Sequence, residues 1–363
     1  MNANTQKLHD AGQSVWVDNI SRDMLRDGVL IRYIADWSVT GLTSNPTTYE
    51  HAIGHGNAYD EAIARLAHSG KSAEEIFFSL ALHDLKAAAD LFRPVFDASK
   101  GIDGWVSIEV SPLLADNVAK TIRAAAWLHE SADRPNLFVK IPGTLAGIEA
   151  IEESIFAGVH VNVTLLFSRE HYIAAAEAYL RGMERRLAAG LDLNVSSVAS
   201  LFISRWDVAA RDAVAPAFYN RLGIAIAMRT YKAHYDLLAT PRWQRLALAG
   251  ARPQRMLWAS TGTKDPAAPD TLYVEALVAP GTINTIPEKT LKAFADHGKV
   301  GAILPIDGGY AEAVLEEIRR EGIDDETLAT DLQREGAEAF AASWHLLLSR
   351  IHEKSVTLGG NGN

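Results

Sequence analysis

"NLFVKIPGT", residues 136–144, reads as a buried strand that carries a single charge. Leu137, Val139 and Ile141 fall on one face of it, and Phe138, Lys140 and Pro142 on the other. Proline cannot donate to a strand ladder, so Pro142 marks the end of the run. The pattern recurs along the chain. Similar runs stand at 14–18 (SVWVD), 39–43 (VTGLT), 105–110 (WVSIEV), 159–167 (VHVNVTLLF), 196–203 (SSVASLFI), 255–260 (RMLWAS) and 281–286 (GTINTI). Between them lie stretches such as AEEIFFSLALHDLKAAADLF (73–92) and REHYIAAAEAYLRGMERRLAAG (169–190). Their apolar residues follow the i, i+3, i+4 spacing of helices packed by one face. Eight strands alternating with helices in one continuous chain predict a parallel sheet closed as a (β/α)8 TIM barrel, an α/β fold. An open doubly wound sheet is the alternative, but it usually begins with a glycine-rich strand–helix turn, which is missing here. Residues 323–353 predict one or two extra helices lying on the barrel. The expected organisation is one barrel domain over 1–358, with additional N- and C-terminal helices, and a flexible tail at 359–363.

Composition excludes several classes of function. Hydrophobic residues make up 48% and charged residues 22%, the balance of an ordinary globular protein with a large core. The 35 basic against 45 acidic residues give a net charge of −10, which argues against nucleic-acid or anionic-membrane partners while leaving room for a local basic pocket. Zero cysteines exclude disulfides, zinc–thiolate sites and thiol nucleophiles. The start, MNANTQKLHDAGQS, has no apolar signal-peptide core, and no long apolar run follows. The expectation is a soluble, cytoplasmic protein.

The strands carry polar residues where ordinary core strands do not. Ser107 and Glu109 alternate with Val106, Ile108 and Val110, and Asn162 and Thr164 alternate with Val161, Val163 and Leu165. If the apolar face packs under the helices, then Lys140, Glu109, Asn162 and Thr164 point into the lumen. Buried charges there must be paired or functional. Barrel active sites sit at the C-terminal strand ends, where Asp18, Thr43, Asn45, Glu109 and Lys140 all fall. Two structural readings compete with a catalytic one: a strand-end lysine whose stem snorkels to water, and a Lys–Glu pair that merely fills the lumen. The catalytic reading needs a neutral amine. At a reference pKa near 10.4 only about 0.04% of a lysine is neutral at pH 7, and desolvation to about 7.5 raises that to roughly a quarter. Such an amine condenses with a ketone to an iminium ion, an electron sink for breaking the neighbouring carbon–carbon bond. Two carboxylates, Asp18 and Glu109, are available to move the protons.

The segments "GLTSNPTTYEHAI" (41–53), "NLFVKIPGTLAGIEAIEE" (136–153), "VHVNVTLLFS" (159–168) and "LWASTGTKDP" (257–266) resemble transaldolase, a Schiff-base-forming (β/α)8 family, and most resemble its longer bacterial branch. The likeness runs from about residue 12 to residue 295, with the motifs in the family's order. It implies Lys140 as the Schiff-base lysine and Asp18 as the acid/base at the C4 hydroxyl. It implies that Glu109, working with Thr164 through a water, handles protons while the imine forms and hydrolyses. Thr43, Asn45 and Asn162 would hold the hydrogen-bond network and the substrate hydroxyls. Ser200 would lie near the C1 hydroxyl, and Arg205 and Ser260 would bind phosphate. The implied reaction moves a dihydroxyacetone unit from sedoheptulose 7-phosphate to glyceraldehyde 3-phosphate, giving erythrose 4-phosphate and fructose 6-phosphate. The implied partners are sugar phosphates alone, with no metal and no organic cofactor.

One position departs from the family. Where many transaldolases place a second phosphate-binding arginine, this sequence has Gly262, and the nearest cation is Lys264. Lys264 is therefore expected to supply that charge, against the alternative of a solvated loop lysine beside Asp265. Other signals are weaker. His51 and His55 are four apart but lack a third metal ligand at a known spacing. "GHGNAY" is no dinucleotide fingerprint. No G-x-S-x-G is present for a hydrolase nucleophile. Trp127 and Trp344 are expected in the core. The competing functions are a fructose-6-phosphate aldolase releasing free dihydroxyacetone and a non-catalytic sugar-phosphate-binding barrel. Glu109 favours transfer, since the aldolases that resemble transaldolase generally carry glutamine there. An isomerase domain fused in some chains of this branch does not fit within 363 residues, so no isomerase activity is expected.

Overall fold

Each of the eight runs forms a strand: β1 (Ser14–Asp18), β2 (Val39–Leu42), β3 (Val106–Glu109), β4 (Leu137–Pro142), β5 (Val161–Leu166), β6 (Ser197–Phe202), β7 (Arg255–Ala259) and β8 (Ile283–Pro287). The computed structural model describes residues 1–359, so the expected tail at 359–363 lies outside it apart from Gly359, the last residue of a helix. All neighbouring strands are parallel, in the order β2-β1-β8-β7-β6-β5-β4-β3. The seam between β2 and β3 is closed by backbone: Leu42 N–H donates to Trp105 O (2.9 Å) and Gly104 N–H to Thr40 O (2.7 Å). Helices alternate with the strands, so the architecture is a (β/α)8 TIM barrel. No helix among the described residues is long and apolar enough to cross a membrane.

Register decides what meets in the lumen. Glu109 pairs with Lys140 across β3 and β4, and Lys140 with Asn162 across β4 and β5. Because strand side chains alternate, residues paired this way point to the same side of the sheet. β5 is less regular than its sequence suggests. Its ladder to β6 breaks between Val163 and Leu166, and Leu165 adopts a left-handed backbone with φ 58°. For a residue with a side chain this costs on the order of 1–2 kcal/mol.

Elements outside the barrel cover its two flanks. An N-terminal helix, Ala3–Asp10, is capped by the Asn2 side chain and tied by Asn2 Nδ2 to Ala295 O (2.8 Å). At the other end of the chain, Ala311–Arg320 forms a helix ahead of the expected segment, and the one or two helices expected over 323–353 are a single 35-residue helix, Asp325–Gly359. The latter packs against helices Pro46–His55, Asp60–His68 and Ala73–Ala98. Trp344 is buried there, with its ring 4.9 Å from Phe77 and 5.6 Å from Phe78. Trp127 differs from expectation: it is 48% exposed, with its ring edge-on to Phe78. Its helix, Val118–Ala132, turns Thr121, Ala125, Leu128 and Ala132 inward, and Trp127 falls on the flank of that stripe.

Candidate active site

A cavity of about 460 Å³ opens at the C-terminal mouth of the barrel. Of the residues singled out from sequence, Asp18, Thr43, Asn45, Lys140, Thr164, Ser200, Arg205, Ser260 and Lys264 line it. Glu109 and Asn162 are buried directly beneath, hydrogen-bonded to lining residues. The fold therefore gathers all eleven at one place.

On the β1–β2 side, Asp18 Oδ1 accepts the Thr43 hydroxyl (2.8 Å) and Asn45 Nδ2 (3.3 Å). The Thr285 hydroxyl of β8 lies 2.6 Å from that of Thr43. Asn45 serves two structures at once, because its Oδ1 also caps helix Pro46–His55 by accepting Thr48 N–H (3.0 Å). The T-S-N-P run thus ends β2, starts a helix and holds a carboxylate. Burial pushes the Asp18 carboxyl up, and the charge of Lys140 and the Thr43 and Asn45 hydrogen bonds pull it back part of the way.

Lys140 is 6% exposed. Its Nζ donates to Glu109 Oε2 (3.2 Å) and to Ser44 O (3.1 Å), leaving the third donor position of the ammonium to the cavity. Burial raises the Glu109 carboxyl, and the Lys140 charge opposes it. Beyond Lys140, Asn162 is fixed from both ends: Oδ1 accepts the Ser200 hydroxyl (2.7 Å) and Nδ2 donates to Ser107 Oγ (3.3 Å). Thr164 Oγ1 is buried and finds no partner among the described residues. A hydroxyl left unpaired next to a cavity is free to bond whatever enters it.

The mouth is cationic. Arg205 faces the cavity with its guanidinium 5.9 Å from the Phe202 ring, and it forms no ion pair among the described residues. Ser260 holds a left-handed backbone, φ 56°, with its hydroxyl 2.9 Å from that of Ser204. Lys264 is not tied to its neighbour Asp265. That carboxylate is taken by Arg211 (2.6 Å) and Asn220 (2.9 Å), which hold it well below the usual carboxylate range, at about 2. Lys264 is left facing the cavity, its Nζ 3.9 Å from where a Cβ on Gly262 would lie.

Several lining residues escaped the sequence reading: Asn19, Thr47, Thr48, His51, Phe202, Thr285, Pro287 and Phe340. Thr285 stands beside Asn284 in "TINTI", so no alternation marks its face in the sequence. His51 had been weighed only as a metal ligand, and among the described residues no group of three potential ligands gathers. Phe340 sits in a helical pattern far from any motif and carries no signal of its place.

Comparison with known proteins extends the likeness beyond residue 295. The family model for transaldolase/fructose-6-phosphate aldolase matches residues 15–351, taking in most of the C-terminal helix. A transaldolase of Parafrankia sp. is 45% identical over 356 residues, covering 96% of each chain. One from Thermobifida fusca is 44% identical over 366 residues, covering 98% of this chain and 99% of the relative. Transaldolase 1 of Streptomyces avermitilis is 44% identical over 369 residues, with 99% and 97% covered. With a matching model over nearly the whole chain and full-length relatives at this identity, the chain belongs to the transaldolase/fructose-6-phosphate aldolase family.

Proposed function

We propose that this barrel is a transaldolase, moving a dihydroxyacetone unit from sedoheptulose 7-phosphate to glyceraldehyde 3-phosphate through a Schiff base on Lys140. The observation that carries the reading is one buried amine, 3.2 Å from a buried carboxyl, opening into a cavity with a second carboxyl and two cations. The neutral amine attacks the donor ketone. Glu109, with Thr164 Oγ1 holding a water, moves protons as the carbinolamine loses water to the iminium ion. Carboxyls raised by burial hold and release protons closer to neutrality than ordinary ones do, which suits Glu109 and Asp18 to this work. Asp18 takes the proton from the C4 hydroxyl as the C3–C4 bond breaks, and returns it when the enamine attacks the acceptor aldehyde. Thr43 and Asn45 orient Asp18, Asn162 and Ser200 hold the donor hydroxyls, and Arg205, Ser260 and Lys264 hold the phosphate. The iminium ion is the electron sink, so the reaction so read calls on no metal or organic cofactor.

Glu109 favours transfer over simple aldol cleavage, because the aldolases that resemble transaldolase generally carry glutamine at that position. Borohydride reduction in the presence of fructose 6-phosphate tests the reading. Added mass of one dihydroxyacetone unit on the peptide containing Lys140 is expected; an unmodified protein would leave only a sugar-phosphate-binding barrel. Incubation with fructose 6-phosphate alone separates the two reactions, since fast build-up of free dihydroxyacetone would mark an aldolase.

A further inference from the structure

Among the described residues, Phe340 is the one wall of the cavity that comes from outside the eight strands and the segments that directly follow them. Its ring centroid lies 6.0 Å from Lys140 Nζ and 6.4 Å from the Phe202 ring. The helix that carries it, Asp325–Gly359, hangs from the strand ends that bear Lys140 and Thr164. Gln333 Nε2 donates to Gly143 O (3.1 Å), just past β4, and to Leu165 O (2.9 Å), in the break of β5. That second carbonyl is free because the left-handed Leu165 turns out of the ladder. One turn on, Gly336 lets the helix sit against the same residue: a Cβ there would lie 3.0 Å from Leu165 Cδ2. Two turns on from Gln333, the ring reaches the amine. Three residues on from Phe340, Ser343 Oγ accepts the hydroxyl of Thr47 (3.0 Å), which also lines the cavity. An irregular strand, a side chain spanning two carbonyls and a glycine all serve to seat this helix, and the ring it seats has no polar atom to offer a substrate. What such a ring can do beside a reacting carbon is exclude water.

We propose that Phe340, positioned by the Gln333–Leu165 latch, keeps water from the nucleophilic carbon of the enamine on Lys140, so that this carbon meets an acceptor aldehyde before a proton, and so sets the ratio of transfer to release. The inference rests on the Schiff-base reading above. After cleavage the dihydroxyacetone unit waits on Lys140 as an enamine. In transfer, its nucleophilic carbon attacks the acceptor aldehyde, and water then adds to the iminium carbon of the product to release the new ketose and the amine of Lys140. In the competing route that carbon takes a proton to give the iminium ion. Water then adds to the iminium carbon and the C–N bond breaks. One water is consumed, and free dihydroxyacetone and the amine of Lys140 are released. Both routes end in hydrolysis of an iminium ion, so Phe340 is a specificity-determining residue that acts where they part, at protonation of the enamine carbon.

The test compares wild type with Phe340→Ala, Phe340→Leu and Gln333→Ala in two assays: release of dihydroxyacetone from fructose 6-phosphate alone, and transfer to an added aldose phosphate acceptor. Phe340→Ala is expected to raise the release-to-transfer ratio by about tenfold, with Gln333→Ala smaller in the same direction. Phe340→Leu, which keeps most of the apolar bulk, should stay within about threefold of wild type. Gln333→Ala leaves the core untouched and carries the test if Phe340→Ala does not fold. A wild-type ratio in Phe340→Ala and Gln333→Ala, with both rates falling together, would assign the ring a structural role and overturn the inference. Absence of borohydride labelling in the wild type would instead overturn the Schiff-base reading, and this inference with it.

Discussion

At the scale of single residues, the site is a set of charges whose neighbours decide what each can do. Removing the Glu109 charge tests the proton path without removing the amine. Glu109→Gln should slow transfer while borohydride still traps some Lys140 adduct, because imine formation and its proton handling are separable. An unchanged transfer rate would place the proton path elsewhere. Lys264 tests the phosphate end. Its ammonium occupies the space that an arginine at position 262 would cross, but as a point charge it lacks the guanidinium fork. A charge-assisted contact of about 1.5–3 kcal/mol implies that Lys264→Ala raises KM for phosphorylated sugars by roughly 10- to 150-fold. Steady-state kinetics on an unphosphorylated donor and acceptor should show little change. Equal losses on both substrate classes would mean that Lys264 supports its loop and not the phosphate.

At the scale of elements, the walls of the phosphate end are held by a buried carboxyl. Asp207, at the close of the "SLFISRWD" run, accepts the Leu222 and Gly223 N–H groups (2.9 and 3.2 Å) at the start of helix Leu222–Leu238. It also accepts the Tyr273 hydroxyl (2.8 Å) from the segment after β7. Burial pushes its carboxyl up to about 6, against the pull of these three donors. The folded state therefore binds a proton more tightly than the unfolded chain does. Its contribution to stability is fully present below the unfolded value of 3.8 and is lost as pH rises through about 6. Asp207→Asn cannot titrate, so urea unfolding should show the wild type's advantage over it shrinking by about 1–2 kcal/mol from pH 5 to pH 7. A difference that stays constant or grows with pH would contradict the assignment.

At the scale of the whole molecule, the barrel depends on closure at its thinnest seam. β2 and β3 share only a short bridge between Gly41 and Trp105 and the flanking backbone bonds. Gly41 has no room for a side chain: a Cβ there would lie 2.6 Å from the Trp16 ring and 2.8 Å from Trp105 O. Trp16 cannot easily yield, since its Nε1 donates to Asp103 Oδ1 (2.8 Å) at the N-terminal end of the lumen. Gly41→Ala should therefore destabilise the fold by about 1–3 kcal/mol, read as a lower urea midpoint at unchanged slope. A wild-type midpoint would show that the seam has slack. The same closed ring sets the geometry at the other end, where strands from all round the barrel deliver side chains to one cavity.

The sequence by itself determined the elements and the ring of polar residues. The strands were legible as short contiguous runs between helical stretches, and in β3, β4 and β5 Lys140, Glu109, Asn162 and Thr164 stood out as polar positions alternating with apolar ones. Asp18, Thr43 and Asn45 were legible for a similar reason, as polar residues at strand ends. The motifs around them added the rest of the eleven. Tertiary structure alone decided the contacts between segments that no local pattern links. Gln333 reaches Gly143 across 190 positions, and that bond brings Phe340 over an amine it does not resemble in any motif. The direction of Lys264 was decided by Arg211 and Asn220 occupying Asp265, a competition among three loops that "STGTKDP" cannot express. The break in β5 was hidden as well, because Leu165 is a good strand residue and its neighbours in the chain give no sign of a left-handed backbone whose carbonyl meets Gln333. Alternation is a property of neighbours in the chain, whereas pairing, burial and exclusion of water are properties of neighbours in space.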